Sequence, residues 1–477
     1  VTNLPRKAVT RTARLAALPL GMAGRAAWGL GKRVGGRPAE AVAAEIQART
    51  ADQIFRTLGE LKGGAMKFGQ ALSIFEASLP EELAGPYRAT LTKLQNAAPA
   101  MPVSTMHRVL AEQLGANWRD HFKDFDDRPT ASASIGQVHR AVWSDGRDVA
   151  VKVQYPGAAE ALLSDLATVS RMSRLATAWV PGLDIGPILA ELRSRMAEEL
   201  DYELEARSQR AFAAAFAGDA AFVVPTVLAS TSHVLVTEWL TGRGMADVIA
   251  QGTQAERDLV SRRYIEFLLA GPARAGLLHA DPHPGNYMLT PDGRLGVIDF
   301  GAVKHLPSGM PRSIGSLLGI ALAGDGDAVA HGLRREGFIK EAISIDGQEL
   351  LAYLAPFMAF AHTDRFRFSR EWMRELFNHV RDPRRADWSV GLRLNLPPEY
   401  LLIHRVWLGG VAVLCQIEGE VAVLDVFEEL LPGFDKPGTT TPPSAVDDVT
   451  ADGAAGYSQY PATPTHGART TTSAVTS

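Results

Sequence analysis

Apolar positions between Ala39 and Gln95 recur at helical spacing, with turn residues confined to Gly63, Gly64 and the Leu79-Pro80 step, which predicts two or three helices. From Phe122 to about Trp239 the period shortens. The runs "SIGQVHRAVW" from Ser134, "DVAVKVQY" from Asp148 and "HVLVTEWL" from His233 read as strands, and the long helical stretch between the second and third predicts a small α+β lobe. After Gly242 the pattern is mainly helical to about Leu431. It is interrupted by a Pro/Gly/His loop, "HADPHPGNYML" from His279, and by a short apolar strand, "LGVIDFG" from Leu295. The last stretch, Lys436 to Ser477, is rich in Thr, Ser, Pro, Ala and Gly. With few large apolar groups it cannot offset its own ordering entropy, and it is expected to be disordered. No repeat of fixed period is visible.

Composition narrows the class. At ~150 residues per domain, 477 residues make about three domains, and 46% hydrophobic with 21% charged residues is an ordinary globular balance. A net charge of −4 gives no global field that would select nucleic acid, so none is expected as a partner. A lone cysteine, Cys415, excludes an intrachain disulfide and a thiolate metal cluster, and a reducing, cytoplasmic setting is the expectation. The most apolar stretch, Leu401 to Ile417, is broken by His404 and Arg405, so no membrane span is expected. The stretch from Leu15 to Ala23 is short and runs into Gly24 and Arg25, so export is not expected either. The first forty residues set Arg6, Lys7, Arg11, Arg14, Arg25, Lys32, Arg33 and Arg37 against a single acid, Glu40. Interleaved with Leu15, Leu18, Leu20, Met22 and Trp28, these charges fit either a solvated terminus or peripheral contact with an anionic membrane.

Four fragments carry chemistry. Ala131 to Val138, "ASASIGQV", followed by "VAVK" ending at Lys152, has the layout of a nucleotide-covering hairpin before a strand lysine. Against the kinase pattern G-x-G-x-x-G-x-V, Gly136 and Val138 survive while Ala131 and Ala133 replace the first two glycines, which stiffens the loop. Further on, Asp281 and Asn286 match D-x-x-x-x-N, and Asp299-Phe300-Gly301 follows a short strand. Asn286 and Asp299 supply hard oxygen ligands suited to Mg²⁺ bridging nucleotide phosphates, and Asp281 would face the acceptor. Between the two halves, "EELDYELEA" crowds Glu199, Asp201, Glu203 and Glu205 at the end of a helical pattern that starts near Ile188. Asp201 and Glu205 form an i,i+4 like-charge pair there, and Lys152 is the natural cation for Glu205.

Taken together these residues resemble the UbiB/ADCK (AarF) family of atypical protein-kinase-like proteins, over roughly half of the chain from Gly59 to Val303. The resemblance extends to the K-x-G-Q motif Lys67-Phe68-Gly69-Gln70, to "ALS" from Ala71 with Leu79-Pro80, to the alanine-rich loop, to Glu199-x-Asp201, and to Tyr155-Pro156-Gly157. It implies a two-lobed, protein-kinase-like α+β fold with an N-terminal helical extension carrying the KxGQ motif. The chain then divides into a basic segment (1–45), the KxGQ extension (46–121), an N-lobe (122–241), a helical C-lobe (242–435) and the tail (436–477).

The resemblance further implies that Ala131, Ser132, Ala133, Ser134, Gly136 and Val138 cover ATP, that Lys152 holds its phosphates and that Glu205 orients Lys152. Asn286 and Asp299 would bind Mg²⁺, with Asp281 as base or positioning carboxylate. Lys67 and Gln70, drawn toward Glu199 and Asp201, would lie over the site as a lid. A lid implies a small-molecule or lipid acceptor, or ATP hydrolysis, in support of isoprenoid-quinone or lipid metabolism. The alternatives are a true protein kinase and a non-enzymatic, nucleotide-gated lipid or protein scaffold. Many family members carry C-terminal membrane helices, and none is expected here.

Overall fold

The computed structural model describes residues 100–133, 135–157, 200–382, 384–385 and 387–436. The expectations for the basic segment, the KxGQ extension up to residue 99 with Lys67 and Gln70, Ser134, Glu199 and the tail beyond 436 lie outside the described residues.

The first lobe is built on antiparallel strands β1 (Phe122–Phe125), β2 (Ala131–Ala133), β3 (Gly136–Trp143) and β4 (Asp148–Gln154). Two further strands, β6 (Val227–Ser230) and β7 (Val234–Glu238), complete a sheet of order β1-β3-β4-β7-β6, with β2 paired to β3. Alternation on β4 sorts the sheet into two faces. Val149, Val151 and Val153 are fully buried on one face with Val234 and Val236, under Met106, Val109 and Leu110 of helix α1 (Val103–Leu114) and under Trp118. Each such valine contributes about 1.5–3 kcal/mol. Ala150 and Lys152 point the other way, and the register sets Val138 and Leu235 beside Lys152, and Thr237 beside Ala150.

A buried polar relay crosses the packed face. The Met101 N–H donates to Gln137 Oε1 (2.7 Å), and Gln137 Nε2 donates to His139 Nε2 (2.8 Å), which makes that ring nitrogen the acceptor. The proton therefore sits on Nδ1, which donates to the Asp126 carbonyl (2.8 Å). Gln137 and His139 are 1% and 0% exposed, so each bond replaces hydration that burial removed.

Helix α2 (Tyr202–Ala215) starts inside the acidic run, where the sequence pattern had placed a helix end. Asp201 has an extended backbone and caps the new helix by accepting from the Glu203 N–H. The expected like-charge i,i+4 pair within one helix is thereby absent: Asp201 lies outside the helix, and Glu203 and Glu205 sit in its first turn, where the helix dipole favours negative charge. Tyr202 and Ala206 of α2 pack with Ile135, Val227 and Leu235, whereas Phe212 and Phe216 belong to the core of the second lobe.

That second lobe contains β5 (Phe222–Val223), β8 (Arg243–Gly244), α3 (Met245–Gln251), α4 (Gln254–Ala275), β9 (Leu277–His279), β10 (Tyr287–Leu289), β11 (Leu295–Val297) and β12 (Val303–His305). Helices α5 (Arg312–Leu322), α6 (Gly326–Arg335), α7 (Gly347–Leu354), α8 (Arg370–Arg381), α9 (Trp388–Arg393), α10 (Pro398–Ile417) and α11 (Val423–Leu430) follow. One small sheet runs β5-β11-β10-β8, and β12 pairs with β9. A capping box of Thr253 and Glu256 starts α4, and Gly276 ends it at φ +65°, the left-handed conformation glycine adopts without strain. Helix α10 is long and apolar enough, by length and composition, to cross a membrane, yet 56% of its most apolar window is buried. Val413, Leu414, Cys415 and Ile417 pack against Tyr264, Leu268 and other core residues. Arg257 ties this core together by donating to the C-terminal carbonyls of Ile417 (2.8 Å) and Ile249 (2.7 Å).

The relay makes stability depend on pH with a definite sign. Burial pushes the His139 imidazole below its ordinary 6.5, against the pull of the Asp126 carbonyl. The unfolded chain therefore takes up the proton first, and stability is lost as pH falls below about 6.5, by at most about 1.4 kcal/mol per pH unit from this group. Urea unfolding between about pH 7.5 and 5.5 should show this limb in the parent and a shallower one in His139→Gln. Equal slopes would mean that the ring is not held neutral.

Candidate active site

The hairpin β2–β3 pairs Ala131 with Val138 and Ala133 with Gly136. Gly136 is required by close approach: a Cβ there would collide with the Val153 carbonyl oxygen and lie 2.9 Å from the Tyr202 hydroxyl. Behind the hairpin, Lys152 Nζ donates to both Glu205 oxygens (2.8 and 2.9 Å) and to Asp299 Oδ2 (3.3 Å), and stands 4.9 Å from the centroid of the Tyr202 ring. The side chains of Lys152, Glu205 and Asp299 are 16%, 4% and 28% exposed, so the pairing with Glu205 is screened little. Burial alone would lower the Lys152 pKa. The Asp299 and Glu205 carboxylates outweigh it and hold the ammonium well above its ordinary value. Burial in turn pushes the Glu205 carboxyl up, and Lys152 pulls it back.

The loop between β9 and β10 is held by buried side chains. His279, 1% exposed, donates from Nε2 to the Asp299 carbonyl (2.7 Å), and its Nδ1 accepts from the Tyr287 hydroxyl (3.1 Å). Tyr264, whose ring meets Tyr287 edge-on at 5.0 Å, donates to the Pro282 carbonyl (2.8 Å). These bonds fix the loop between β9 and β10. Within it, Asp281 Oδ1 accepts from the His283 N–H (3.3 Å), and Asn286 Nδ2 donates to the Asp281 carbonyl (3.2 Å). Ile298 N–H donates to the Asn286 carbonyl (3.0 Å), which sets Asn286 beside the strand leading to Asp299. Asp299 Oδ1 accepts from the Gly301 N–H (3.0 Å), and the Phe300 ring packs 5.0 Å from Phe212 of α2.

Lys152, Glu205 and Asp299 thus come together from β4, α2 and the loop after β11, and the polar loop brings Asp281 and Asn286 to each other. Among the described residues no cluster of three or more His, Cys, Asp or Glu could hold a metal on its own. Asn286 and Asp299 instead each offer a hard side-chain oxygen, an amide oxygen and a carboxylate. Asn286 spends its amide N–H on a carbonyl and keeps its side-chain oxygen as an acceptor, which fits Mg²⁺ that completes its shell with water and substrate phosphates. Three contributors escaped the sequence reading. Tyr202 was visible only as an apolar residue among acids. A methyl on Gly242 would lie 2.8 Å from the Leu289 carbonyl, and one on Gly296 would strike the Leu240 side chain, so these two glycines let the linker from β7 to β8 lie against β10 and β11.

Residues 93–332 match the ABC1 atypical kinase-like domain. The mitochondrial atypical kinase coq-8 of Caenorhabditis elegans is 29% identical over 90% of this chain and 58% of its own length. The mitochondrial atypical kinase COQ8 of Saccharomyces cerevisiae is 33% identical over 53% of this chain and 50% of its own length. The chain therefore spans between half and three fifths of these curated relatives. Among solved structures, the Rv3197–erythromycin complex from Mycobacterium tuberculosis is 43% identical, with a TM-score of 0.66. That match covers 84% of this chain and all of the other.

Removing Lys152 isolates a buried carboxyl, and Lys152→Ala should cost about 3–5 kcal/mol near neutral pH. With the ammonium gone, burial and Asp299 both push Glu205 above its ordinary 4.5, so the folded variant keeps a proton that the unfolded chain releases. Its stability should then recover as pH falls from neutral toward the ordinary 4.5 of the unfolded carboxyl, and Lys152→Ala/Glu205→Gln should restore much of the loss at neutral pH, as read by urea unfolding. A pH-independent loss below about 1 kcal/mol would mark an exposed, weak pair.

Proposed function

This chain belongs to the ABC1 atypical kinase-like family, the group its motifs resemble, and from that membership we propose that it binds ATP with Mg²⁺ and turns it over on a small-molecule or lipid acceptor, or by hydrolysis. One observation carries the reading: Lys152 is held at hydrogen-bond distance between Glu205 and Asp299, so a phosphate-seeking cation and a metal-seeking carboxylate stand side by side. In this reading Ala131, Ser132, Ala133, Ser134, Gly136 and Val138 cover the nucleotide, Lys152 takes its phosphates and Glu205 orients Lys152. Bound Mg²⁺, taken by Asn286 and Asp299, supplies the positive charge that phosphoryl oxygens need in the transition state. Asp281 accepts the acceptor's proton or positions its hydroxyl. Lys67 and Gln70, with Glu199 and Asp201, form the lid.

The chain after Gly301 supports a non-peptide acceptor. Val303–His305 pairs at once with β9, the Leu306 N–H donates to the Gly276 carbonyl (2.8 Å), Met310 is buried, and α5 begins at Arg312. The ten residues from Ala302 to Pro311 are thus pinned by backbone pairing and by Met310, although Lys304, His305, Pro307 and Ser308 stay exposed, and no long segment separates the Asp-Phe-Gly triplet from α5. The place in isoprenoid-quinone or lipid metabolism and the contact of residues 1–45 with a membrane belong to the same proposal. A second reading, a nucleotide-gated scaffold for a bulky apolar ligand, is favoured by the erythromycin bound to the 43% identical relative. A protein kinase is the third.

Saturating Mg-ATP, ~100-fold above Kd, should stabilise the protein by roughly 2.7 kcal/mol. Asp299→Asn should remove the Mg²⁺-dependent part of that gain in a melting experiment. γ-Labelled ATP then separates the readings: released phosphate or labelled lipid supports this one, and labelled protein supports a protein kinase. Binding without turnover supports the scaffold. A melting temperature indifferent to Mg-nucleotide would overturn the assignment.

A further inference from the structure

We propose that Tyr202 is a positioning residue for the nucleotide phosphates, its ring face holding the Lys152 ammonium and its body tying the hairpin to helix α2. The proposal rests on the nucleotide reading above and adds a residue to it.

A buried aromatic in the first turn of a helix is usually packing and nothing more. Tyr202 differs in what it touches. It is 1% exposed, and it clusters with Ile135, the residue immediately before Gly136 at the hairpin tip. Its hydroxyl lies where a methyl on Gly136 would intrude, 2.9 Å from that position, so hairpin and tyrosine are in direct apposition. Lys152 Nζ stands 4.9 Å from the ring centroid, within the ~6 Å range of a cation–π contact. Glu205 follows three residues later on the same helix, so the ring and the carboxylate flank the ammonium from one face of α2. The Tyr202 N–H donates to the Ser232 carbonyl (3.2 Å), which anchors this turn to the loop between β6 and β7.

The chemistry assigns the ring a task the carboxylates cannot do. Lys152 directs its N–H groups at Glu205 and Asp299, and an arriving phosphate must take over at least one of those bonds. An uncharged ring face attracts the ammonium without claiming one of its N–H groups as a carboxylate does, and it repels the incoming phosphate far less than a full negative charge would. It therefore keeps Lys152 in place while carboxylate contacts are exchanged for phosphate contacts.

The experiment measures Mg-ATP and adenosine affinities for the parent, Tyr202→Leu and Tyr202→Phe at a temperature where each is folded. Adenosine lacks phosphates, so it reports the integrity of the cleft without engaging Lys152. Tyr202→Leu should weaken Mg-ATP about five- to tenfold and leave adenosine as in the parent, and Tyr202→Phe, which keeps the ring, should rescue Mg-ATP binding. Should Tyr202→Leu fail to fold, pentafluorophenylalanine at the same position keeps the shape while draining the negative ring face, and it should show the same selective loss. Equal affinity for Mg-ATP in the parent and the ring-altered variants, or parallel loss of Mg-ATP and adenosine, would reduce Tyr202 to packing. A parent that binds adenosine but shows no Mg-ATP preference would overturn the phosphate reading itself.

Discussion

A single buried ammonium organises this molecule. Lys152 cannot leave water without partners, because the desolvation of an unpaired charge costs several kcal/mol, and its partners come from a helix and from a loop of the other lobe. Each partner is itself held. Glu205 lies in the first turn of a capped helix, and Asp299 is fixed by the Gly301 N–H on one side and by His279 under its carbonyl on the other. Hairpin, helix and loop must therefore be placed together for any of the three charges to be satisfied. A polar cluster of this kind specifies one arrangement more than it adds stability.

Helix α2 carries this constraint through the fold. Its first turn packs against the first lobe through Tyr202 and Ala206, and Phe212 and Phe216 are part of the second lobe's core, where Phe212 meets Phe300. A rotation of α2 that withdrew Glu205 from Lys152 would also disturb the ring beside Asp299. The linker glycines act in the same sense, since Gly242 and Gly296 allow the crossing strand to lie against the second sheet.

Much of this was legible in the sequence because kinase-like motifs set particular residue types at short, fixed offsets. "VAVK", D-x-x-x-x-N and Asp-Phe-Gly each sit within a few residues of chain, and Lys152 was assigned to Glu205 across 53 positions only because the motif order supplied the link. The start of α2 was missed for a local reason: residues on both sides of Asp201 read as helix, and periodicity alone does not mark a cap between two such segments. An Asp followed by Tyr202 and two glutamates was the available signal. Tyr202 and the Gln137–His139 relay were beyond reach for a different reason. Their partners, Lys152, Gly136 and the Met101 N–H, are neighbours through strand register, and register is a property of the folded sheet. The same holds for α1, whose apolar stripe does not say which sheet it will cover.

The shortness of the stretch from Ala302 to Pro311 has a thermodynamic consequence. Fixing a residue's backbone costs about 1–2 kcal/mol, so an enzyme that must order a long segment before it works keeps most of its molecules in an idle state and lets a signal shift the balance. Here the chain following the Asp-Phe-Gly triplet is already paired with β9 and anchored at Met310. Among the described residues, the stretch from Ala302 to Pro311 needs no further ordering for Asp299 to stand beside Lys152. The entropy of fixing this stretch is therefore part of folding and is not left to be met when a ligand arrives.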